Sequence, residues 1–266
     1  MKQKKDIKNS WWKHLALVIK EVTNYSMLTF LIIIAWWYVT THANVSKLLI
    51  PNIGSIGDTF LTYLKNGTIF KDFLSSFRIV LIGYCIGSLL GVTLGVLMGI
   101  FVPVNKFFTI ILNALRQVPP LAWIPLFILW FGIGDLSKIC MICMGTFYAT
   151  VLNSIQGIKS IPKGYLEFAK LYKIKKKDLF FKIYLKGALP SIFVGLRLGA
   201  SDAWMGIVGA EMIASSIGMG YRLNSGRNLM QTNVVILYII LIGIVGCLMD
   251  LFLRFIEKRI TSWRQE

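Results

Sequence analysis

Phe73–Phe101 reads FLSSFRIVLIGYCIGSLLGVTLGVLMGIF, and Arg78 is the one formal charge in it. A bilayer core is about 30 Å thick and takes about 20 apolar residues wound as a helix. This run is long enough to cross it. Inside it Gly83, Gly87, Gly91, Gly95 and Gly99 recur at every fourth residue. Helices in lipid gain no hydrophobic drive toward one another, so rows of small residues mark places where backbones approach closely. The row predicts a packing ridge in a compact helical bundle. Gly195, Gly199 and Ala203 repeat the spacing downstream, where a glycine hinge for gating is a second reading.

Five further apolar runs surround this one: roughly 22–40, Phe107–Phe131 (interrupted by Pro119, Pro120 and Pro125), Leu136–Ile158, Leu189–Ile213 and Val234–Ile256. The whole chain has 266 residues, 56% hydrophobic and 15% charged, against about 45–50% and about 25% in soluble domains. That excludes a disordered chain and argues against a soluble one. The net charge of +17 is gathered in blocks. Six lysines lie between Lys2 and Lys20 and nine between Lys159 and Lys186, and Arg254, Lys258, Arg259 and Arg264 close the chain. Six crossings put all three blocks on one side, and excess Lys/Arg marks the cytosol. The basicity therefore faces an anionic leaflet rather than nucleic acid. The expected organisation is a cytosolic basic N-terminus (1–21), an all-α transmembrane domain (22–257) with a cytosolic loop at about 159–188, and a cytosolic tail (258–266). Trp36, Trp37 and Tyr38 stand where a signal peptide would need small residues, so an uncleaved first span ending in an aromatic belt is expected.

Cys85, Cys140, Cys143 and Cys247 all fall in apolar stretches, which argues against a disulfide framework. The C-x-x-C at Cys140 and Cys143 has no second pair, and His14 and His42 flank opposite ends of the first span, so no metal site is expected. Outside the membrane, Pro51-Asn52 precedes a short amphipathic segment, Ile53–Leu64, expected along the outer surface. The Gly/Ser-rich stretch from Ser215 to Gly220 and the polar residues through Thr232 either dip back into the membrane or cover the pore mouth.

The loop between the fourth and fifth runs carries the functional signal. Pro162 can open a helix, because its missing N–H costs nothing in a first turn. Tyr165, Phe168, Ala169 and Tyr172 then fall on one face, with Lys163, Glu167 and Lys170 on the other. Such a helix can lie on the bilayer or dock into a partner's groove.

Glu167-Phe168-Ala169, followed by Ile183-Tyr184-Leu185-Lys186-Gly187-Ala188-Leu189-Pro190, resembles the EAA loop of ABC importer permeases. The family pattern is Glu-Ala-Ala, three residues, Gly, nine residues, Ile-x-Leu-Pro. Phe168 replaces the middle Ala, Lys173 stands at the Gly and Lys186 at the Pro, while Pro190 matches a second family proline that opens the next span. Lys is disfavoured at positive φ, so the loop helix is expected to run on past position 173. Leu49-Ile50-Pro51, Ser76-Phe77-Arg78, Pro119-Pro120-Leu121, Ile128–Gly134, Ala210–Ala214, Gly218-x-Gly220-Tyr221 and Gln231-Thr232 look like the nitrate, sulfonate and taurine subgroup.

The resemblance implies a type I importer permease fold of about six transmembrane helices in a bacterial cell membrane. It implies a coupling helix gripped by cytosolic ATPases through Tyr165, Glu167, Phe168, Ala169, Tyr172, Lys173 and Pro190. It further implies two ATPase subunits carrying ATP and Mg, an extracytoplasmic binding protein that delivers a small solute, and a second copy of the chain as a homodimer. No Gly-Lys dipeptide occurs in the chain, so it holds no P-loop, and the expected role is non-catalytic, with no cofactor of its own.

Ionisable residues within spans are functional candidates by default. Asp202 either lines the path or pairs with Arg197, Arg116 or backbone donors. Glu211 either orders the outer loop or touches cargo. Arg116 and Gln117 lie either at the cytosolic interface or on the path. Trp123, Trp204 and Met205 are read as pore constrictions or as packing, and Asp250 with Arg254 as a helix pair at i, i+4. An ion-coupled secondary transporter is the alternative. It would normally show paired intramembrane acids and internal repeats.

Overall fold

The computed structural model describes residue 31, residues 34–42 and residues 50–261. The basic N-terminus, most of the first expected span and residues 262–266 lie outside that range. Residues 34–42 are helical. Then follow α1 (Ile53–Lys65), α2 (Thr68–Ile100), α3 (Val102–Leu115), a 3-10 turn (Pro120–Trp123), α4 (Ile124–Phe131) and α5 (Asp135–Lys159). The chain continues through α6 (Lys163–Leu171), α7 (Lys186–Ala214), α8 (Met219–Asn228) and α9 (Thr232–Ile260). Among the described residues, α2, α5, α7 and α9 are long and apolar enough to cross a membrane. The expected single span at Phe107–Phe131 is instead two short helices bent by 81°. Its cause is Pro119 and Pro120: proline lacks the N–H of the helical ladder and clashes with the turn before it.

The centre of the bundle is α5, clasped between α2 and α7. A Cβ added at Gly83 would lie 2.8 Å from Ile142 Cβ, at Gly95 2.6 Å from the Val151 carbonyl oxygen, and at Gly99 2.5 Å from Ile158 Cβ. The glycine row is thus the surface on which α5 rests. The second row faces α5 from the other side: a Cβ at Gly195 would stand 2.7 Å from Asn153 Cβ, and at Gly199 3.0 Å from the Thr146 side chain. The buried hydroxyls of Thr146 and Thr150 are satisfied inside this sandwich, by the Gly199 carbonyl at 3.3 Å and the Thr146 carbonyl at 2.9 Å.

At the end of the bundle opposite α6, Asn52 caps α1 by accepting from the Gly54 N–H at 3.3 Å. Ile56, Phe60 and Tyr63 of α1 pack onto the main core, and Asn233 donates to Thr59 at 2.7 Å. The amphipathic segment therefore lies against the bundle rather than away from it. In α9, Arg254 pairs with Asp250 at 2.7 Å. Arg197 of α7 joins the same group, 3.5 Å from Asp250 and 2.9 Å from Glu257.

Candidate functional site

Three places hold the residues singled out from the sequence. The first is the loop helix α6. It begins after Pro162, which stands at the N-cap position, and meets the body through Ala169, 3% exposed. Tyr165 (64%), Phe168 (58%) and Tyr172 (65%) project outward, and the rings of Phe168 and Tyr172 lie 4.3 Å apart. Glu167 is exposed on the same helix. Tyr165 and Pro190 come together across a groove of about 420 Å³ that Lys182 and Lys186 also line.

The helix does not run on past position 173. It ends at Leu171, and Lys173 takes φ 49°. Ile174 N–H donates to the Ala169 carbonyl at 3.0 Å and Lys173 N–H to the Lys170 carbonyl at 3.1 Å. These two bonds form a Schellman stop, which requires the left-handed conformation at its C′ residue. The turn that glycine makes easily is kept here at a cost of about 1–2 kcal/mol for an L-residue. Lys173→Gly is therefore expected to tighten the loop by roughly 1 kcal/mol. The measurement is hydrogen exchange at the Ile174 amide, and unchanged or weaker protection would show that no strain is held there. Pro190 also differs from expectation. It lies inside α7, which starts four residues earlier and is entered through a π-type turn over Leu179–Leu185.

The second place is a cavity of about 490 Å³ between α5, α7 and the break in the bent span, lined by Arg116, Tyr148, Asp202 and Met205 among others. Met205, 72% exposed, lines its edge. Asp202 does not pair with Arg197, which is held by Asp250 and Glu257, and neither Arg116 nor Asp202 bonds to any described residue. Trp204, by contrast, is core: it is buried, packs against Gly246 and donates from Nε1 to the Ile242 carbonyl at 3.0 Å. Trp123 sits in the 3-10 turn with its ring centroid 6.4 Å from that of Phe127, and its buried indole N–H has no partner among the described residues.

The third place is at the end of the bundle opposite α6 and was not foreseen as a unit. Glu211 is fully buried, away from the cavity lining, and accepts from Ser76 Oγ at 2.7 Å and from Gly220 N–H at 2.9 Å. Beside it Asp72, also buried, accepts from Tyr238 Oη at 2.6 Å and Arg222 Nε at 3.0 Å. Gly218 takes φ 122° and its N–H points at Asp72 at 3.4 Å, while Met219 N–H donates to Ser76 at 2.9 Å. Burial would lower the Arg222 pKa, but the hydrogen bond and charge of Asp72 outweigh it and hold the guanidinium above its ordinary value. The Gly/Ser-rich stretch thus folds back as α8, pinned by two buried carboxylates. The sequence signal for this cluster was Asp72 with Ser76 at i, i+4, easily passed over because Asp72 abuts the charged loop residue Lys71. Among the described residues no group of three His, Cys, Asp or Glu could hold a metal.

The family model of binding-protein-dependent transport system inner membrane components matches residues 87–262. A putative ABC transporter permease of Methanocaldococcus jannaschii is 34% identical over 251 residues, covering 92% of this chain and 94% of that one. A putative aliphatic sulfonates transport permease of Bacillus subtilis is 35% identical, covering 90% and 86%. The taurine transport system permease protein of Escherichia coli is 30% identical, covering 87% and 86%. In fold, the chain resembles the inward-facing methionine ABC transporter MetNI, with TM-score 0.60 and 18% identity over 76% of this chain and 98% of that one. Nothing in these comparisons supports an ion-coupled secondary transporter. The chain belongs to the binding-protein-dependent transport system inner-membrane family: it is a non-catalytic, multi-pass permease subunit of an ABC importer, whose ATPase is a separate chain.

Proposed function

We propose that two copies of this chain form the translocation path of an importer for a small sulfonate-, taurine- or nitrate-like solute, or a related small organic compound. An extracytoplasmic binding protein delivers the solute. Two cytosolic ATPases, holding ATP and Mg, grip one α6 each through Tyr165, Glu167, Phe168, Tyr172 and the turn at Lys173, while the buried Ala169 seats the helix on the permease body. Both termini are cytosolic, a reading supported by the three basic blocks, Lys2–Lys20, Lys159–Lys186 and Arg254–Arg264, which six crossings would put on one side. The permease itself holds no cofactor.

The observation that carries this reading is the outward aromatic face of α6. Phe168, Tyr172 and Tyr165 are more than half exposed on a helix anchored by Ala169, and large aromatics are the usual anchors of protein interfaces. Truncating one such anchor costs about 2 kcal/mol or more, which is roughly thirtyfold in affinity. The double variant Tyr165→Asp and Phe168→Asp is therefore expected to release the ATPase and stop ATP-driven uptake, while the permease still inserts in the membrane. Uptake in proteoliposomes, with ATPase retention on an affinity column, decides the matter. Normal coupled uptake in that variant would assign the aromatic face to the bilayer instead.

A further inference from the structure

The cavity between α5, α7 and the break in the bent span holds two opposite charges and no ion pair. Asp202 lies just past the midpoint of α7 (186–214, midpoint 200), and Tyr148 lies beside the midpoint of α5 (135–159, midpoint 147). The cavity therefore opens along two membrane-crossing helices away from their ends, with Arg116 and Asp202 both exposed into open space on the single chain, and an ionised side chain in such a segment marks a path or a relay. The other carboxylates of the spanning helices are all engaged: Asp72 with Arg222, Asp135 with Lys138, Glu211 with Ser76, Asp250 with Arg197 and Arg254, Glu257 with Arg197. Asp202 alone among them has no partner among the described residues, and it shares its cavity with the equally unpartnered Arg116. The volume of about 490 Å³ lies within the usual range for small-molecule sites.

A purely anionic cargo would satisfy Arg116 and leave a second negative charge facing Asp202. A purely cationic one would do the reverse. A cargo carrying both charges answers both side chains at once and enters the membrane with no net charge. We propose that this cavity is a cargo subsite for a small zwitterion, its acid group against Arg116 and its ammonium against Asp202. The proposal rests on the importer reading above and adds a class of solute to it.

The test uses the complete importer in nanodiscs, permease with its ATPase and without the external receptor. Three probes are titrated in: taurine with both charges, ethanesulfonate with the acid alone, ethylamine with the amine alone. Wild type is expected to bind taurine about tenfold or more tighter than either single-charge probe, the effect of one charged hydrogen bond. Asp202→Asn should bring taurine down to the ethanesulfonate level and leave ethanesulfonate within about twofold. Arg116→Gln should bring taurine down to the ethylamine level. Equal binding of the three probes by wild type, or no taurine binding up to roughly 20 mM, overturns the proposal. So does a charge exchange, Arg116→Asp with Asp202→Arg, that restores assembly lost in each single variant, since the two residues would then be a structural pair between copies. Retained ATPase coupling is scored on the same samples, so a failure of the importer reading shows as lost coupling and a wrong cargo class as lost selectivity alone.

Discussion

Gly91→Leu is expected to leave no folded permease. Gly91 stands at the centre of the α2 row, against the part of α5 that carries Thr150. A single added carbon would overlap the Thr150 hydroxyl and come within 2.8 Å of the Phe147 carbonyl. Thr150 is fully buried and its hydroxyl is already committed to the Thr146 and Phe147 carbonyls at 2.9 and 3.0 Å. It has no second position that keeps both packing and hydrogen bonds. The backbone carbonyl cannot rotate away without breaking the helix. The remaining response is for α2 and α5 to separate, which forfeits the close contact along the rest of the row. Overpacking a core costs about 1–3 kcal/mol for added methylenes, so Gly91→Ala should already lose roughly 3 kcal/mol and Gly91→Leu far more. Net stabilities are only about 5–15 kcal/mol. Gly243 supplies the control: nothing lies within 4 Å of the Cβ it lacks, so Gly243→Ala should be neutral or gain up to about 1 kcal/mol in helix propensity. Thermal unfolding and size-exclusion profiles in detergent read both. If Gly91→Ala melts together with Gly243→Ala, the row is not a contact surface.

That ridge was legible because its cause is local and periodic: five glycines on one helix face have few uses in lipid. The charge blocks were legible for a similar reason, since each is continuous in the chain. The same holds for α6 as a helix, where a stripe of Tyr165, Phe168 and Tyr172 needs only the helical period to be seen. What escaped depends on tertiary context. The turn at Lys173 follows its hydrogen bonds to Lys170 and Ala169 rather than the preference of lysine, because the chain must leave α6 in a fixed direction to enter α7. The sequence marked the interruption in the bent span by its prolines, but nothing in it states an angle of 81°. The separation of Asp202 from Arg197 has a helical cause as well: five residues place them about 140° apart around α7, and Asp250 and Glu257 of α9 hold the arginine on its own face.

The cluster around Asp72 and Glu211 gives the second large effect. Asp72→Ala is expected to cost about 3–5 kcal/mol, the range for removing one partner of a buried ion pair. The carboxylate is 1% exposed and holds three donors from three elements: Tyr238 of α9, Arg222 of α8 and the Gly218 N–H before α8. Alanine leaves the Tyr238 hydroxyl unpaired inside the core and the Arg222 guanidinium facing apolar surroundings. Arg222 is the partner that can escape, since its side chain is 29% exposed, so the damage should concentrate on α8 rather than spread to α5. The double variant Asp72→Ala and Arg222→Ala should recover part of the loss, by about 1–3 kcal/mol of coupling, because no charge is then stranded. Hydrogen exchange along residues 215–228 would report this directly. The expected pattern is fast exchange there in Asp72→Ala, partial recovery in the double variant and unchanged protection across α5. Additive losses in the cycle would mean that Asp72 and Arg222 act independently. In that case α8 is held by Glu211 and Ser76, through the Gly220 and Met219 amides, and the adjoining carboxylate only serves Tyr238.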